Sequence, residues 1–104
     1  MIITNVESIP GKRIVEHFGL VTGSTVRAKN AFNDIGAGFK NIFGGELKSY
    51  TKLLDETRKE ALDRITAQAQ QLGANAIVNV RFATSDVAQG ASEIYVYGTA
   101  VRIE

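Results

Sequence analysis

One helical pattern dominates this sequence. From Glu46 to Leu72, the residues Leu47, Tyr50, Leu54, Ala61, Ile65, Ala69 and Leu72 recur at helical spacing, giving a long helix with one apolar stripe. Asp55–Lys59 and Glu60–Arg64 are i, i+4 pairs with the acid first, the favourable order. Leu72-Gly73 closes the pattern, and Gly73 is expected to supply the left-handed residue just past the last turn. An amphipathic helix needs a partner layer, and the segments on either side of it read as strands.

Before the helix, RIVEHFGLVTGSTV (Arg13 to Val26) has Ile14, Phe18 and Leu20 on one parity. Val15, His17, Gly19 and Val21 fall on the other. Apolar residues on both parities predict a strand that meets something on each face. Pro10-Gly11 is a turn that sets off a short extended arm, IITNV. After the helix, AIVNVRFAT alternates Val78, Val80 and Phe82 against Asn79 and Arg81, a strand with one wet face. SDVAQGAS reads as a loop, and EIYVYGTAVRI as a last strand that is apolar on both parities. Gly19, Gly23 and Gly98 inside these patterns mark bulges or places where another backbone comes close.

Between the first strand and the long helix, Phe32, Ile35, Phe39 and Ile42 form one stripe of a short helix. Gly36 and Gly38 each cost it about 1 kcal/mol against alanine, so it persists only with its aromatic stripe buried. Phe32, Ile35 and Phe39 are therefore expected to help form a subunit contact. The order strand, helix, helix, strand, strand predicts one α+β domain over residues 1–104. Its last two strands form an antiparallel hairpin, the first strand joins them over the helices, and the long helix covers one face.

"IFGGELKSY" sets Gly44-Gly45 just ahead of the long helix, where a phosphate loop would be expected to open. Such a loop follows a strand, though, and this pair follows a helical pattern. There is no GK[ST], and Gly36-Ala37-Gly38 lacks the third glycine of a dinucleotide motif. Gly44 and Gly45 read as a hinge between two helices.

Composition removes several function classes. The chain has no cysteine, so disulfides, thiolate metal sites and thiol catalysis are out. Twelve Lys or Arg against eleven Asp or Glu leave a net charge of +1, without the basic face that nucleic acid demands. No apolar run reaches membrane-spanning length, no leader pattern opens the sequence, and the protein reads as cytoplasmic.

No serine, histidine and acid spacing suggests a nucleophile, and the chain reads as no enzyme. His17, the single histidine, reads as a polar residue on a partly covered sheet face. It becomes a metal ligand only if an oligomer axis brings several copies together. Asp55, Glu56, Glu60 and Asp63 read as a solvated face balanced by Lys52, Lys59 and Arg64. Tyr95 and Tyr97, on one parity of the last strand, read as core or subunit contact.

Three stretches together resemble one family: "GLVTGSTV", "GGELKSYTKLLDETRKEAL", and "LGANAIVNVRF" followed by "YGTAV". The chain is similar, from about Ile2 to Val101, to the bacterial YbjQ-like family, also called the "putative heavy-metal-binding domain". The resemblance implies a fold like the dodecin subunit, β-α-β-β, with an antiparallel sheet wrapped around the long helix. It also implies ring assembly as a homopentamer, so the expected partner is the chain itself. A metal or small ligand held between subunits is the function implied, with no cofactor named. The alternative is a structural or partner-docking ring with no ligand.

Overall fold

The computed structural model describes residues 1–28 and 48–104. Among them are four strands and one helix: β1 (Ile2–Ile3), β2 (Ile14–Ala28), α1 (Lys48–Gln71), β3 (Ala76–Ala88) and β4 (Ala91–Ile103). The strands form one sheet in the order β1-β3-β4-β2. β4 pairs antiparallel with β3 on one side and β2 on the other. The helix lies across β2 and β4 on one face. The α+β architecture thus agrees with the pattern of the sequence, but the sheet is mixed. The arm adds β1 in parallel to β3, with Ile2 opposite Ala76 and Ile3 opposite Ile77. Phe32, Ile35, Phe39, Gly44 and Gly45 lie outside the described residues.

The helix sits unusually near the sheet because the residues between them are small. Ala61, Ile65 and Ala69, spaced one turn apart, are fully buried against Val21, Val96 and Ala100. Gly23 lies under this row, where a Cβ would come within 2.6 Å of the Ile65 backbone nitrogen. Gly98 is confined less tightly, since a Cβ there would stand 2.9 Å from Ile77 Cγ2 and 3.0 Å from the Val78 carbonyl oxygen. Thr25 and Thr57 continue the buried layer, and both hydroxyls are satisfied: Thr57 Oγ1 donates to the Leu53 carbonyl and Thr25 Oγ1 to that of Thr57.

The helix ends on two bonds that close a left-handed cap. Gly73 stands at φ 91°, its N–H donates to the Gln70 carbonyl, and the Ala74 N–H reaches back to that of Ala69. Asn75 then acts as a surrogate strand residue. Its side-chain oxygen accepts the Ile103 N–H at 2.7 Å, and its amide donates to the Ile103 carbonyl at 2.9 Å.

Register shifts overturn the simple alternation expected of the strands. In β2 the register slips between Ile14 and Glu16 and again between His17 and Gly19, where Gly19 takes φ 97°. Consequently His17 and Val21 do not share a face. His17 pairs with Val101, whereas Val21 packs beneath the helix. Phe18 and Leu20 are separated in the same way, Phe18 against the helix-side core and Leu20 on the far face. In β3 the register slips between Val78 and Arg81 around Asn79, which has φ 53°. Val80 thereby joins the helix-side core, while Val78 joins Ala76, Val101 and Ile103 on the other face. An extra residue in one strand inverts the facing of everything beyond it.

The segment expected as a loop, SDVAQGAS, belongs almost wholly to the hairpin. β3 and β4 stay paired out to Ala88 opposite Ala91, and only Gln89-Gly90 turns, with Gly90 at φ 80°. The register shifts once near the tip, between Asp86 and Ala88, and a two-residue turn with a left-handed glycine closes the hairpin.

Candidate functional site

The face of the sheet turned away from the helix is built from alternate residues of its long strands. Cross-strand partners share a face. The register therefore groups Leu20, Thr22, Ser24 and Val26 of β2 with Thr99, Tyr97, Tyr95 and Glu93 of β4. Arg81, Ala83 and Ser85 of β3 complete the row. Tyr95 and Tyr97 lean together with ring centroids 5.7 Å apart. Leu20 is 71% exposed and Val26 51%, so large apolar groups here meet solvent in a single chain. At one end of the face, the arm covers Val78, Val101 and Ile103 with Ile9.

His17 lies on this same face, beside Val101, and is exposed. Its neighbour Glu16 is in register with Arg102, one step along the strand, where successive side chains point to opposite sides. Among the described residues, no group of three His, Asp or Glu stands close enough to hold a metal ion. Soft heavy metals favour thiolates or several imidazoles. This chain has one imidazole and no thiol, so the donor set does not fit such a metal within one subunit.

Asp55, Glu60 and Asp63 of the helix are engaged with cations. Glu60 is the centre: Arg27 Nη2 lies 2.5 Å from its Oε2 and Arg64 Nη2 lies 2.5 Å from its Oε1. The hydrogen bond from Arg27, with help from Arg64, holds the Glu60 carboxyl below its usual 4.5. Asp55 meets Arg58 at 3.1 Å rather than Lys59, and Lys59 lies 3.8 Å from Asp63. Arg64 also donates to the Ser24 carbonyl, and Gln68 accepts the Thr22 N–H at 2.7 Å. These contacts occupy backbone groups on the edge of β2 that pairs with no other strand among the described residues, the kind of edge that otherwise recruits further strands.

A second feature, which side-chain periodicity does not signal, is an open cleft of about 570 Å³ between the arm and the β3 bulge. Asn5, Val6, Glu7, Ser8, Pro10, Asn79 and Arg81 line it. The arm is strapped there by backbone bonds: Thr4 N–H to the Ile77 carbonyl, Val80 N–H to that of Thr4, and Asn79 N–H to that of Val6, each at 3.0 Å. Arg81 Nη1 donates to the Asn5 carbonyl at 2.7 Å and to that of Val80 at 3.0 Å. Nothing in the local pattern VNVRF announces a left-handed asparagine, because the bulge exists only through pairing with β4 and the arm.

Comparison with known proteins agrees with this sheet-and-helix fold. A family model described as "Putative heavy-metal-binding" matches residues 1–104. The chain belongs to this family. A UPF0145 protein of Hahella chejuensis is 65% identical over the whole of both chains. Another, from Acinetobacter baylyi, is 58% identical over 92% of this chain and 89% of its own. A solved structure from Pediococcus pentosaceus, a protein of unknown function in the DUF74 family, superposes with a TM-score of 0.61 at 20% identity. That likeness covers 100% of this chain and 98% of the other, and it supports the fold alone. Among the described residues, no helix is long and apolar enough to cross a membrane.

Proposed function

We propose that this chain is a non-catalytic subunit of a homo-oligomeric ring, a pentamer, that holds a metal ion or small ligand between its subunits. The observation that carries the reading is the exposed sheet face. Leu20 and Val26, in rows with Tyr95 and Tyr97, form an apolar and aromatic surface that a second copy would remove from water. Phe32, Ile35 and Phe39 add to the contact in this reading. His17 lies on the same face and is repeated once per subunit, so a cation site would combine His17 of one copy with carboxylates of another.

A second reading, a structural or partner-docking ring without ligand, is favoured by the scarcity of donors among the described residues. Native mass spectrometry of protein purified without chelator separates the two. A ring with retained mass supports the first, and a ring of bare subunits the second. Sedimentation as a monomer at micromolar concentration overturns both, and Phe39→Asp or Leu20→Glu should convert a ring to monomers or aggregate. Calorimetry with zinc is expected to give binding no tighter than about micromolar. His17→Ala should abolish it, and unchanged zinc binding would remove His17 from the site.

A further inference from the structure

We propose that the cleft between the arm and the β3 bulge is a binding site for a small carboxylate, with Arg81 as its anchor. Three independent features converge there. The first is the cation itself. Arg27 and Arg64 share the Glu60 carboxylate, and Arg58 meets Asp55. Arg81 instead spends one nitrogen, Nη1, on the carbonyls of Asn5 and Val80. Those two bonds fix the guanidinium plane without cancelling its charge, and among the described residues no carboxylate stands within ion-pair distance of it. A planar cation already held in place presents its remaining N–H groups to an acceptor at little entropic cost, and a carboxylate matches that fork.

The second feature is Asn79. A non-glycine residue at φ 53° in mid-strand is a costly conformation that persists only where the surroundings enforce it, and such residues gather at binding sites. Here the Val6 carbonyl enforces it by accepting the Asn79 N–H. The bulge places Asn79 and Arg81, two residues apart, on the wall of one cleft. The third is the polar lining, in which Ser8 and Asn79 supply neutral donors beside the charge. Glu7, also in the lining, opposes a purely anionic guest and limits the affinity.

The test is an amide NMR titration of the intact protein with sodium acetate at low ionic strength, using sodium chloride as the control anion. Saturable shifts confined to Ser8, Asn79 and Arg81, with a dissociation constant in the millimolar range, are expected. Glu7→Gln, an exposed change outside the strap bonds, should tighten binding several-fold by removing a like charge. Arg81→Lys keeps the charge and loses the fork, and should weaken acetate by roughly tenfold. Asn79→Gly preserves the backbone conformation, so it reports the side-chain amide without disturbing the bulge. Amide protection of Thr4 and Val80 shows in each variant whether the arm stays docked. The proposal fails if acetate produces no saturable shift, if chloride reproduces it, or if Arg81→Lys leaves it unchanged with the arm docked.

Discussion

Gly23 of β2 lies directly against the backbone of Ile65 in α1, so close that a single added methyl would stand 2.6 Å from the Ile65 nitrogen. No rotamer change relieves a clash with backbone. Gly23→Ala must lift the helix from the sheet, and it should cost about 1–3 kcal/mol or more, as overpacking of a filled core does. Thermal or urea unfolding checks this. An unchanged midpoint would mean that the helix seat is more compliant than the packing of Ala61, Ile65 and Ala69 indicates.

Asn79 offers a graded test of the bulge. Glycine adopts φ 53° freely, so Asn79→Gly should leave stability within roughly 1 kcal/mol of the parent. Asn79→Val places a β-branched side chain in the left-handed region and should lose about 1–3 kcal/mol. Equal stability of the two variants, measured by denaturant unfolding, would contradict a left-handed backbone at this position.

Asn75 closes the end of the sheet through both polar atoms of its side chain. Asn75→Ala leaves the Ile103 N–H and carbonyl without these partners, a loss of about 1–3 kcal/mol. Asn75→Asp keeps an acceptor for the N–H but sets an oxygen against the Ile103 carbonyl oxygen, so it should not rescue stability. Hydrogen exchange at the Ile103 amide is the local readout, and it should accelerate in Asn75→Ala.

Glu60 sets a pH dependence with a definite sign. Its folded-state carboxyl is held below 4.5 by Arg27 first and Arg64 second, so folding favours the ionised form. The resulting stability is present above about pH 4.5 and is lost as the pH falls through the lowered folded value. Glu60→Gln should therefore melt below the wild type near neutral pH, with the gap closing in acid. Because the pair is substantially exposed, the gap should also shrink in high salt. A gap that widens on acidification would reverse this assignment.

The sequence by itself determined the elements whose causes are local. The apolar stripe of α1, its glycine stop and the strand character of β2, β3 and β4 arise from side-chain periodicity and from the backbone freedom of one residue type. It also marked Gly19, Gly23 and Gly98 as unusual, since a missing side chain inside a strand pattern needs a spatial reason. Only the tertiary structure decided which reason applied to each: a bulge at Gly19, a helix backbone over Gly23, and β3 packed on Gly98. It likewise decided that the polar stretch from Ser85 to Ser92 is hairpin rather than loop, because backbone pairing with a neighbouring strand does not depend on apolar side chains. Facing was the part least legible in the chain. Alternation predicts faces only while the ladder is regular, and each bulge inverts the facing of the residues beyond it. The positions of His17 and Leu20 on one face and Val80 on the other were therefore fixed by pairing. The cleft at Asn79 and Arg81 arises in the same way, from a strap and a bulge that lie far apart in sequence and meet in space.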